Sequence, residues 1–109
     1  MLALAAASSS ASVVAGPFSE AIRKMSLGPA QRLEHQAPMF KQKGRVQAGA
    51  DADLVVFDPE KVMDRSTYDN PTKPSEGFAY VFVNGVAVVK EGALQTGVMA
   101  GKPARGPIR

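Results

Sequence analysis

Few side chains in this 109-residue sequence have the chemistry of a reaction centre. His35 is the only histidine, and there is no cysteine. A catalytic zinc takes three protein ligands, usually His and carboxylate, and keeps a fourth position open. A single His cannot supply such a set, and His35 falls at the end of a short helical pattern. Asp51, Asp53 and Asp58 suggest an oxygen-lined cation site. Their spacing lacks the Gly, the further oxygen donors and the late Glu of a calcium loop. They read instead as turn and strand-end residues. "GRVQAG" lacks the Lys and Ser pattern of a phosphate loop. Ser8, Ser9 and Ser10 sit in low-complexity sequence with no base nearby, which makes a poor nucleophile. The expectation is a chain with no catalytic, cofactor-binding or metal-ligating residue of its own.

The totals agree with a small globular unit. The apolar fraction is 45% and the charged fraction 21%, a balance that supports folding rather than disorder. Thirteen basic and ten acidic side chains leave a net charge of +3, much of it from Lys102, Arg105 and Arg109 near the end. That is too dilute for the basic stripe of a nucleic-acid binder. No apolar run reaches the roughly 20 residues of a membrane span. Without cysteine, disulfides and thiolate metal sites are excluded and the redox compartment is not legible. The start, "MLALAAASSSASVVAG", has the apolar character of a signal peptide. It has no positive beginning, and "SSSAS" breaks its apolar stretch. A cytoplasmic chain with an unpatterned or disordered start over residues 1–18 is expected.

Residues 19–36 read as helical. Ser19 is a suitable N-cap, and Glu20 in the first turn complements the helix dipole. Ala21, Ile22 and Met25 recur at helical spacing, with Arg23 and Lys24 outside. Gly28 fits a left-handed stop, after which Pro29 can open a second short helix, "PAQRLE".

From residue 37 to 96 the pattern changes to strands. "GRV" is long enough for a short one, "GADAD" makes a turn, and "DLVVFD" is a β-branched and aromatic strand that Pro59 ends. Asn84-Gly85 is the preferred pair for a type I′ hairpin turn, because both positions need positive φ. Counting from that turn opposes Val83 to Val86, Val81 to Val88 and Tyr80 to Val89. Phe78, Tyr80, Phe82, Ala87 and Val89 then share one face, and Ala79, Val81, Val83, Val86 and Val88 the other. Both faces are apolar, so each needs cover. Glu91-Gly92 starts another turn, with "ALQ" as a last short strand. The polar stretch "MDRSTYDNPTKPSEG" is long for a loop in so small a domain, and such loops are usually functional or packed on something. Residues 97–109 read as a mobile tail. The fold class expected is α+β, mostly β, with short N-terminal helices before a small antiparallel sheet.

Three segments carry a resemblance when taken in order: "AIRKMSLGPAQRLE", "KGRVQAGADADLVVFDPEKVMDRSTY" and "EGFAYVFVNGVAVVKEGALQTG". At this spacing they resemble the C-terminal end of the metal-dependent amidohydrolase superfamily. The run "DRSTY…P…SEG…VNG", with the ending "GKPARGPIR", is similar to the D-aminoacylase, or N-acyl-D-amino-acid deacylase, branch. The resemblance implies a longer hydrolase in which zinc-activated water cleaves a non-peptide C–N (amide) bond. It also implies a (β/α)8 barrel carrying the metal site, and a composite β-sandwich built from both chain ends. Residues 37–96 match the C-terminal share of that sandwich and residues 19–36 the end of the barrel, while the barrel itself is missing. Residues 1–19 contain no Asp, Glu, His or Cys, so no family metal or catalytic residue carries over. The chain is therefore expected to be inactive alone and to have the missing barrel and N-terminal sandwich strands as natural partners. Self-association is the alternative route to cover its apolar faces, and neither nucleic acid nor membrane is an expected partner. The competing reading is a stand-alone β-rich binding or interaction module without catalysis.

Overall fold

Proline at the first position fixes where the helical part begins. The computed structural model describes residues 3–6 and 17–107. Helix α1 runs Pro17–Met25, where the fixed φ of Pro17 is pre-organised for a helix and its missing N–H costs no bond. Ser19 therefore lies inside the first turn rather than capping it. Helix α2 spans Leu27–Leu33. Gly28 lies within α2 and does not take the left-handed conformation, and Pro29 is its third residue rather than its first. The break between the helices is Ser26, which is 4% exposed. Its N–H and its hydroxyl both donate to the Ile22 carbonyl, at 3.0 and 3.2 Å. A third short element, the 3-10 helix Pro38–Gln42, follows.

Among the described residues, five strands form one sheet in chain order. They are β1 Ala3–Ala6, β2 Leu54–Phe57, β3 Phe78–Val83, β4 Val86–Lys90 and β5 Ala93–Leu94. All neighbours are antiparallel except β1 and β2, which run parallel. The start expected to be unpatterned thus contributes an edge strand and the first residues of α1. The serines at 8–10 lie outside the described residues. The expected strand at "GRV" does not form. Gly44 has φ +70° and Val46 is 67% exposed, so this stretch is a bend passing beneath Ser26. The α+β class and the mainly antiparallel sheet agree with the sequence reading.

The hairpin turn is the one the sequence specifies. Asn84 and Gly85 have φ 52° and 78°, and Val83 opposes Val86. Beyond that pair the register departs from the count. Phe82 opposes Ala87, Val81 opposes Val89, and Tyr80 opposes Lys90, so Val88 is taken up in a bulge. A second bulge takes up Ala79, since Val56 opposes Tyr80 and Phe57 opposes Phe78. A bulge places two residues against one and turns later side chains over. One face consequently carries Leu54, Val56, Tyr80, Phe82 and Ala87. The other carries Val55, Phe57, Phe78, Val81, Val83 and Val89, so Phe78 and Val89 change sides relative to the expectation.

Ring contacts agree with this assignment. Phe57 lies 6.2 Å from Phe78 and 6.1 Å from Phe18 of α1, while Tyr80 and Phe82 stack at 6.0 Å on the opposite face. The core is small: among the described residues Ala30, Ala37, Val55 and Phe57 are the buried apolar ones, and no large side chain there is completely buried. Replacing Asn84 with alanine tests the turn. Asparagine tolerates the left-handed region, whereas alanine pays a steric cost there. The expected loss is about 1 kcal/mol of stability, read as a shift in the urea midpoint with an unchanged slope.

Candidate functional site

The polar centre of the molecule is Asp53, the residue immediately before β2. It is 7% exposed, and an unpaired carboxylate there would be costly. Lys43 donates to its Oδ2 at 2.5 Å, and the backbone N–H of Asn84 donates to its Oδ1 at 2.8 Å. Lys43 also pairs with Asp51 Oδ2 at 2.9 Å. One position earlier, the Ala52 carbonyl accepts from the Gly85 N–H at 2.9 Å. Residues 52 and 53 thereby hold both turn residues of the β3–β4 hairpin and tie them to the segment after the 3-10 helix. Burial by itself raises the Asp53 pKa. The Lys43 ammonium and the Asn84 N–H outweigh it and hold the carboxyl below its usual range. Burial likewise opposes the charge on Lys43, and Asp53 and Asp51 together hold its pKa above the usual lysine value.

A cavity of about 630 Å³ lies above this cluster, walled by Leu33, Met39, Phe40 and Val83 and edged by Gly101, Lys102 and Ala104. The segment read from sequence as a mobile tail is laid back here. The Arg105 N–H meets Met39 Sδ at 3.1 Å.

The three aspartates singled out by sequence do not converge. Asp51 and Asp53 are both engaged by Lys43, and Asp51 does not bond its own backbone through its side chain. Asp58 sits at the far end of β2, where its Oδ1 accepts the Glu60 N–H at 3.0 Å and Lys61 pairs with it at 3.6 Å. That is a strand-end turn, as the sequence suggested. His35 is exposed just after α2. Among the described residues no group of three or more His, Cys, Asp or Glu is placed to hold a metal. The described residues therefore do not fit the zinc that the resemblance implies. Arg45–Glu34 (3.2 Å) is a further half-buried ion pair, and it fastens the bend to α2. No helix among the described residues is long and apolar enough to cross a membrane.

These polar residues thus hold sheet and helices together. The chain is similar in part to a D-aminoacylase and two deacylases. The D-aminoacylase, of Alcaligenes xylosoxydans xylosoxydans, is 48% identical over 60 residues. That match covers 55% of this chain and 12% of the relative. An N-acyl-D-glutamate deacylase of the same organism is 44% identical over 68 residues, 62% of this chain and 13% of that protein. Its N-acyl-D-aspartate deacylase is 43% identical over 44 residues, 40% of this chain and 9% of that protein. All three fall in the D-aminoacylase branch that the sequence resembles, and the chain spans only about an eighth of the length of the first two. No family model and no solved structure matches the chain.

Proposed function

We propose that these residues form the C-terminal packing portion of a longer hydrolase that releases the acyl group from N-acyl-D-amino acids. The observation that carries this reading is the pattern of relatedness. Three deacylases match 40–62% of this chain at 43–48% identity, while each match occupies 9–13% of the relative. In this reading the chemistry belongs to the rest of the polypeptide. A metal bound there would supply a Lewis acid and lower the pKa of a bound water. This chain supplies a sheet. Leu54, Val56, Tyr80 and Phe82 are half-buried on the face away from α1, and they form the surface offered to the sandwich strands and barrel of the longer protein.

The test uses the purified chain, free of chelator. Elemental analysis is expected to return no stoichiometric zinc, and incubation with an N-acyl-D-glutamate no cleavage. Co-expression with a D-aminoacylase truncated before its matching segment is expected to give a soluble, active complex. The double substitution Tyr80→Asp and Phe82→Asp should prevent that complex from forming. One zinc per chain together with cleavage by the chain alone would overturn the reading.

A further inference from the structure

The lobe of residues 63–77 and the groove beside it take no part in the reading above. The lobe is built to keep its shape. At its neck Met63 and Glu76 exchange two backbone hydrogen bonds, at 3.1 and 2.9 Å, and Arg65 reaches Glu76 at 2.7 Å. Further out Thr67 and Asn70 exchange two more, both at 3.1 Å, which leaves Tyr68 and Asp69 as a two-residue tip. Pro71 and Pro74 stiffen the return. Tyr68 is fully exposed, at 104%. An aromatic ring on a preorganised tip gives large contact area for little ordering cost. Beside the neck, Phe78, Val81, Val89 and Leu94 floor a groove of about 900 Å³, with Arg65 and Lys73 on its rim.

We propose that two copies of this chain pair about a two-fold axis, the Tyr68 ring of each entering the groove of the other. Because the lobe also forms the groove wall, an operator that seats one ring seats its counterpart, as an isologous interface requires. Charge selects a second copy as the occupant. Asp69 stands at the tip and Lys73 on the rim, and among the described residues neither is in an ion pair, whereas Arg65 is taken by Glu76. In the pair each Asp69 meets the Lys73 of the other copy. The area suits a weak dimer. Two tyrosines at roughly 150–250 Å² each, their floors and the exposed Leu94 give about 1,000 Å² in total, the low end for specific interfaces. Dissociation in the micromolar range follows. The proposal does not depend on the deacylase reading.

Sedimentation equilibrium of the 109-residue chain from about 1 μM to about 1 mM brackets that range. The expected result is a monomer–dimer equilibrium that Tyr68→Ala weakens at least about tenfold. Asp69→Lys and Lys73→Asp should each weaken it alone, and restore it when the two single variants are mixed. All three sites lie outside the core, and circular dichroism checks that each variant keeps the parent's fold. A monomer throughout, association unchanged by Tyr68→Ala, or no recovery in the mixture would overturn the proposal.

Discussion

Replacing Gly77 with alanine is expected to lower the thermal midpoint by roughly 15 °C, from a loss of about 3 kcal/mol. Gly77 has φ +88°, and a Cβ there would stand 2.5 Å from both the Cα and the N of Val62. Two costs add. The left-handed conformation costs an alanine about 1–2 kcal/mol, and moving backbone out of the way costs a similar amount. The displaced residues matter because the Gly77 carbonyl accepts the Asp58 N–H at 3.0 Å, where the chain leaves β2. Gly49→Ala separates the two costs. Its φ is +83° with nothing within 4 Å of the added methyl, so its loss should be about 1 kcal/mol. Equal losses at the two glycines would show that the close approach to Val62 contributes nothing.

Asp53→Ala is expected to cost about 3 kcal/mol, since removing one partner of a buried pair leaves the other exposed to the full desolvation penalty. Lys43 retains Asp51, which keeps the loss at the low end of that range. Asn84 loses the acceptor for its N–H. The pH dependence gives an independent signature. The folded Asp53 carboxyl lies below its unfolded value, so its contribution is present above about pH 4 and is lost as pH falls through the folded pKa. The folded Lys43 ammonium lies above its unfolded value. Its contribution is present below about pH 10 and is lost as pH rises through the folded pKa. Thermal melts from acid to neutral pH should show the parent losing stability below about pH 4 and Asp53→Ala losing less over that interval. Identical acid profiles for the two would remove Asp53 from its role.

The legible parts of this fold were those encoded by neighbours in sequence. Asn84-Gly85 specifies its turn because the φ requirement belongs to those two residues. "LVVF" specifies a strand because four consecutive β-branched or large apolar side chains fit a buried pleat. The face assignment of β3 and β4 was not legible. Ala79 and Val88 are as apolar as their neighbours, and packing rather than local preference decides which residue a bulge absorbs. Helix boundaries went wrong for a related reason: Pro17, Ser19, Gly28 and Pro29 all carry terminus signals, and only the packing of Ser26 selects among them. Asp53 was seen as a turn residue. Its partners are 10 and 31 residues away. The available signal was its position, a carboxylate directly preceding a buried strand, where an acceptor needs a donor from elsewhere.

The strand order also sets an assembly sequence. From β2 to β5 each strand pairs with its successor in the chain, so the ladder can close like a zipper. The β3–β4 hairpin, with a two-residue connection, is the element with the least chain to gather, and such hairpins form in about 1–10 μs. β2 joins later, because residues 58–77 intervene and loop-closure entropy is spent before the contacts return it. β1 pairs Ala3 with Leu54, the most distant pairing among the described strands and the only parallel one among them, and comes last. If this chain emerges from a ribosome, its slowest contact is the one that waits longest for its partner. β1 spends that interval without its partner, although it precedes β2 in the chain.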